Sequence, residues 1–322
     1  LVRDARHLTV WAKAWLAVGC VLAVFALAGG VDPAGRATGG DGASNPIWLA
    51  RGIGGPAVAL LWLAARRALP APAVVGAGVL LSGGLYATGS RGPVVALAIA
   101  GLMLAVAPTV RPRAARITAL AVTAAVGLYV VVAVELVPAT SRLGAAVYDP
   151  RGELEASQRI ELAAPTIDLI RATPGGVGVG GWADHVTIPP YRYPHNLFLE
   201  VFAESGWLSG VLLVALTVWV VVRLWRRARV SPAARLALAL LVFEATCVSV
   251  SGDLNARAWW FVLALGYAVS HWPAVSGART TPPAAMPSAS AESTVAPSML
   301  SQRSRTGTRP TSTRRSLALP WP

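Results

Sequence analysis

Four side chains in this sequence have types and settings that could do chemistry: Arg91, Arg159, His195 and Asn196. His195 follows Pro194 and stands just before a helix expected to begin near Asn196. A neutral imidazole at a helix start can take a proton from a hydroxyl, and the positive helix end disfavours its protonation. Asn196 can orient a hydroxyl-bearing ligand or cap the helix. Arg91 lies in "SRGP", residues 90–93. It reads either as a cation snorkelling to the membrane surface or as a fixed cation for a phosphate-bearing ligand. Gly89 and Gly92 permit close backbone approach, and Pro93 suits the first turn of a helix. Arg159 has Glu155 four residues before it and Glu161 close by, so an intrahelical ion pair competes with any ligand role.

The elements that must position these residues follow from composition. The chain has 322 residues, 55% of them hydrophobic and 13% charged, with a mean hydropathy of +0.56. Soluble domains carry about a quarter charged residues. Eight apolar runs, near 11–30, 48–65, 71–89, 93–110, 117–136, 207–223, 236–252 and 258–273, approach the ~20 residues that cross a bilayer as a helix. The expected fold is all-α: a polytopic membrane helix bundle of about eight spans, residues 1–273, with one large extracytoplasmic loop at 137–205. That loop is too long for a passive connector. It should carry a short amphipathic helix over 153–171, kinked or broken at Pro165, and then the glycine-rich turn "TPGGVGVGGW". Residues 274–322 read as a disordered basic cytoplasmic tail.

Net charge is +13, from 28 basic residues of which only Lys13 is lysine. The arginines punctuate the apolar runs. Arg3 with Arg6, Arg66 with Arg67, Arg111 with Arg113 and Arg116, and the 223–235 cluster fall on one side if eight spans alternate. By the positive-inside rule that side is cytoplasmic. Arg36, Arg91, Arg142, Arg151, Arg159, Arg171 and Arg192 then fall outside, suited to an anionic headgroup or diphosphate. The two cysteines, Cys20 and Cys247, lie in apolar runs and are expected as buried free thiols. No Asp-x-Asp pair, His-Glu-x-x-His or Cys/His cluster supports metal chemistry, and "GGVGVGG" lacks the context of a phosphate-binding loop. No cleavable signal peptide is read at the start. Upstream helices missing from this chain are expected instead.

Three stretches, in order, resemble motifs of the O-antigen ligase/polymerase family of polytopic membrane glycosyltransferases. They are "SRGP" at 90–93, "SQRIELAAPTIDLIRATPGGVGVGGW" at 157–182 and "HNLFLEVFAESGWLSG" at 195–210. "RATGGDGASNP" at 36–46 resembles a further loop common in that family. Ala163 stands where the family usually has an aromatic residue. The resemblance implies transfer of a glycan from an undecaprenyl-diphosphate carrier to an acceptor hydroxyl at the outer face of the cytoplasmic membrane, without metal or cofactor. It implies that Arg91 and Arg159 hold the diphosphate and that His195 acts as base or acceptor clamp. Arg36, Arg192, Asn196 and Glu204 complete the set expected to bind substrate. The partners implied are the lipid-linked glycan donor, a glycan or lipid acceptor and membrane lipid, with no nucleic acid. The competing readings are a transporter or flippase of lipid-linked glycans, which would need ionisable residues mid-membrane and paired broken helices, and a non-catalytic relative.

Overall fold

The structure, a computed structural model, describes residues 5–32, 36–38, 45–106, 159–189 and 191–272. Among these the regular secondary structure is helical apart from one isolated bridge between Val31 and Ala37. The helices are α1 (Ala5–Ala28), α2 (Pro46–Ala65), α3 (Ala71–Ala87), α4 (Arg91–Val106), α5 (Arg159–Ala172), α6 (Trp182–His185), α7 (Leu197–Ala228), α8 (Pro232–Ser251) and α9 (Arg257–His271). Four of them, α1, α2, α7 and α8, are long and apolar enough to cross a membrane, and α3 and α4 are shorter apolar helices. The expected span at 117–136, Arg142, Arg151 and the 274–322 tail lie outside the described residues.

The apolar spacing decides which helices are central. In α1 the buried residues Leu8, Ala12, Leu16, Gly19, Ala23 and Ala26 repeat every three or four positions and form one stripe, while Val18, Val21 and Phe25 face outward. Helices α2 and α8 are buried on nearly every side and form the centre. Small residues allow the close approach. A Cβ built on Gly19 would stand 2.3 Å from Pro56 of α2, and one on Gly84 would stand 2.7 Å from Ala23 of α1. The Phe243 ring of α8 fills the space over Gly54.

Caps fix where the helices begin. Asn45 accepts a hydrogen bond from the Ile47 N–H at 2.9 Å, with Pro46 following it, and Ser231 accepts from the Ala234 N–H at 3.3 Å, with Pro232 following. Aromatic and arginine side chains knit one end of the bundle. The Trp62 indole donates to the Pro232 carbonyl at 2.8 Å, Arg66 lies 4.8 Å over the Trp62 ring, and Arg227 donates to the carbonyls of Ser270 and Trp272. This arginine end gathers the termini of α2, α7 and α9 and the start of α8.

Two expectations need correction. Of the kink or break expected at Pro165, the break does not occur: α5 runs unbroken through it. Proline removes one donor to the Glu161 carbonyl, but the helix is braced by packing. Leu162 is fully buried, and the Thr166 hydroxyl donates to the Leu162 carbonyl at 2.6 Å. The interruption lies instead in α7, at Gly206 (φ 84°, ψ 173°), between the loop-facing segment and the apolar segment. Of the two free thiols, Cys247 is buried and Cys20 only half-buried.

Candidate functional site

The opposite end of the bundle collects most of the candidate residues. After α1 the chain turns back in a narrow loop. The Asp32 N–H donates to the Arg36 carbonyl at 2.8 Å and the Thr38 N–H to the Gly30 carbonyl at 2.9 Å. This loop docks on the end of α3, where the Ala37 N–H donates to the Ala87 carbonyl at 2.8 Å. Arg36 therefore lies against the "SRGP" turn: a Cβ on Gly89 would stand 3.2 Å from Arg36 Cγ. Gly89 takes φ 60°, a conformation open to glycine at little cost. The turn is locked from within, since the Thr88 hydroxyl donates to the Leu85 carbonyl at 2.7 Å and accepts from the Ser90 N–H at 3.3 Å. Arg91 is the first residue of α4 and is half-buried.

Arg36 has a carboxylate partner. Its backbone N–H and its Nε donate to Asp32 at 2.9 and 2.7 Å, and its Nη2 lies 2.6 Å from Asp32 Oδ2. An anionic ligand would share this guanidinium with Asp32.

The start of α7 carries the histidine. Asn196 is its N-cap, accepting at Oδ1 from the N–H groups of Phe198 (3.0 Å) and Leu199 (3.2 Å). His195 precedes the cap at φ 55°, a left-handed backbone conformation uncommon outside glycine. Its ring lies between two tyrosines, edge-on to Tyr191 at 5.1 Å and tilted against Tyr193 at 4.2 Å. Arg192 is exposed beside them. One turn into α7, Glu200 accepts from the Leu254 N–H at 3.1 Å, and Phe198 packs edge-on against Trp259 at 5.6 Å. The connection from α8 to α9 is thereby joined to the start of α7. The last turn of α8, which leads into that connection, meets the "SRGP" turn, because a Cβ on Gly92 would stand 3.2 Å from Val250 Cγ2. A continuous set of contacts thus runs from Arg36 through the Arg91 turn and residues 250–254 to the Asn196 cap.

The glycine-rich turn sits on the break in α7. The N–H groups of Val177 and Gly178 donate to the carbonyls of Ala203 and Glu204 at 3.0 and 2.9 Å, and the Trp207 N–H donates to the Pro174 carbonyl at 2.9 Å. The Glu204 carboxylate is buried and accepts from the N–H groups of Gly180 (2.8 Å) and Trp182 (3.4 Å). These amides are thereby committed to α7. Glu204, expected on the substrate, has both oxygens on the protein's own backbone. Arg159 is the first residue of α5, which packs on α7. Among the described residues no group of His, Cys, Asp and Glu is arranged to hold a metal ion.

Sequence reasoning missed Arg51. It lies in an apolar run of α2 and pairs with Glu244 of α8 deep in the bundle. A charge inside a span was itself a signal, but its partner is 193 residues away and no local spacing shows it.

Residues 76–214 match the family model described as O-Antigen ligase. The match covers Arg91, Arg159, Arg192, His195, Asn196 and Glu204, and leaves Arg36 outside it. No curated protein and no solved structure matches the chain.

Proposed function

We propose, from the match of residues 76–214 to the O-antigen ligase family model, that this multi-pass membrane protein transfers a glycan from a polyprenyl-diphosphate carrier to an acceptor hydroxyl. The family match carries the reading. The contacts that join the Arg36 loop, the Arg91 turn and the His195–Asn196 cap at one end of the bundle support it. The arginine end faces the cytoplasm in this reading, by the positive-inside bias, and the site end faces outward across the cytoplasmic membrane.

In the reaction, His195 takes the proton of the acceptor hydroxyl as its oxygen attacks the anomeric carbon of the donor sugar. The bond from that carbon to the diphosphate oxygen breaks, and its electron pair leaves with the diphosphate. Arg91 and Arg159 stabilise the charge that develops there. Diphosphate is already a competent leaving group, so orientation and fixed cations supply the catalysis. Arg36, paired with Asp32 beside the Arg91 turn, and the exposed Arg192 bind the donor's phosphates or sugars, and Asn196 orients the acceptor.

The transport reading has one observation in its favour, the Arg51–Glu244 pair inside the bundle. It also needs paired broken helices. Among the described residues only α7 is interrupted, at Gly206.

The test is glycan transfer from a lipid-linked donor in membranes carrying His195→Ala, Arg91→Ala or Arg159→Ala. Loss of transfer in each is expected. Full activity in all three would sink the assignment.

A further inference from the structure

We infer that Glu204 is a positioning residue: with Trp182 and Thr166 it forms a clamp that sets helix α5, which begins at Arg159, against the His195 end of α7. The inference rests on the transferase reading for its purpose, and on geometry alone for its existence.

The break at Gly206 creates the clamp's seat. An uninterrupted α7 would use the carbonyls of Ala203 and Glu204 in its own hydrogen-bond ladder. At the break those two carbonyls accept from Val177 and Gly178 of the glycine-rich turn. Two backbones meet there with no room for a side chain. A Cβ on Gly176 would stand 2.4 Å from the Glu204 carbonyl oxygen, and one on Gly206 would stand 2.7 Å from the Gly175 carbonyl carbon. The Glu204 carboxylate then reaches past this contact to the N–H groups of Gly180 and Trp182.

Trp182 carries the constraint onward. Its side chain is fully buried, and its Nε1 donates to the Thr166 hydroxyl of α5 at 2.9 Å. That hydroxyl in turn donates to the Leu162 carbonyl, one turn after Arg159. Leu162, Trp182, Val186 and Ala203 form a separate small core, and Tyr191 packs against it. Tyr191 also meets the His195 ring edge-on. From the other side, the Trp207 indole donates to the Ile170 carbonyl in the last turn of α5 at 2.8 Å. The helix that carries Arg159 is therefore tied to α7 at both ends, and the same core touches the histidine.

The chemistry gives this arrangement a purpose. A cation that stabilises charge only as the diphosphate leaves acts in the transition state. Its misplacement lowers kcat and leaves the donor KM in place. A purely structural clamp would lower stability and leave kcat per folded molecule unchanged.

Two arms test this on the full chain in detergent–lipid particles. The first measures kcat and donor KM for Glu204→Gln, Thr166→Val and Thr166→Ser. Gln keeps one acceptor and turns an NH2 toward the second backbone N–H, Val deletes the hydroxyl, and Ser retains it. Glu204→Gln and Thr166→Val are expected to lose at least about tenfold in kcat with little change in KM, as small displacements of catalytic groups do. Thr166→Ser is expected to restore the rate. The second arm needs no activity. Spin labels on the exposed Asp168 of α5 and the exposed Asn255 beside Leu254, in a Cys20→Ser background, report the α5-to-bundle distance. A single narrow distribution is expected, broadened by Glu204→Gln and Thr166→Val. Unchanged kcat with a broadened distribution would overturn the positioning role, and a distribution that stays narrow would overturn the clamp. Absence of transfer by the unsubstituted chain would strike the transferase reading instead, and the label arm would then decide the clamp alone.

Discussion

Arg51 of α2 and Glu244 of α8 meet at 2.5 Å in the apolar centre of the bundle, with side chains 7% and 4% exposed. In such a setting each charge depends on the other. Removing one partner leaves an uncompensated charge, at a cost of about 3–5 kcal/mol, whereas replacing both with apolar residues of similar volume is often tolerated. Arg51→Met and Glu244→Leu should therefore each depress the unfolding temperature strongly, and the two combined should recover most of the loss. Thermal unfolding in detergent checks this. Additive losses in the double variant would show that the two residues act separately.

The backbone at His195 offers a second test. With φ at 55°, a residue bearing a Cβ pays about 1–2 kcal/mol that glycine avoids. His195→Gly should unfold at a higher temperature than His195→Ala. Both should lose transfer by about 10²- to 10⁴-fold, the usual contribution of a general base. Equal stability of the two variants would remove the strain from the account. Transfer at the unsubstituted rate would remove the base.

The glycine-rich turn predicts a graded series. Gly175 has no positive φ and nothing near its Cβ position, so Gly175→Ala should be neutral. Gly178 (φ 91°) also faces open space, so Gly178→Ala should cost only the conformational penalty of about 1–2 kcal/mol. Gly176 (φ 81°) and Gly206 (φ 84°) each add a backbone collision, so Gly176→Ala and Gly206→Ala should be the most damaging. Stability measured across the four, with transfer on the folded fraction, gives the order. A flat series would mean that the turn does not press on α7.

Much of this was legible in the sequence, and the remainder fails for physical reasons. Apolar runs near the length of a bilayer span gave the helices, and Pro93 was read as suiting the first turn of one. The glycines of 175–181 announced a turn. The Asp32–Arg36 pair was within reach of a local reading, since the two are four residues apart. Three features were not. Arg51 finds Glu244 only after α2 and α8 pack. Glu204 could face substrate, lipid or its own chain, and residue type alone does not choose. Pro165 was read as a site of kinking or breaking because the rule counts the lost backbone donor. It does not count Thr166, Leu162 and Trp182, which brace the helix around it.

Asn196 separates capping from catalysis. Its Oδ1 accepts two N–H groups at the start of α7, and losing such a cap costs about 1 kcal/mol. Asn196→Ala should lower stability by that amount, and Asn196→Ser, a comparable cap, should restore it. The carboxamide also has an N–H₂ group, which serine cannot supply, and in the proposed reaction that group orients the acceptor hydroxyl. Transfer by Asn196→Ser should therefore remain below the unsubstituted rate after its unfolding temperature has recovered. The deficit should fall on the KM for acceptor or on kcat, with the donor KM unchanged. Full recovery of transfer with serine would reduce Asn196 to a cap and leave His195 as the only residue of the pair that meets the acceptor.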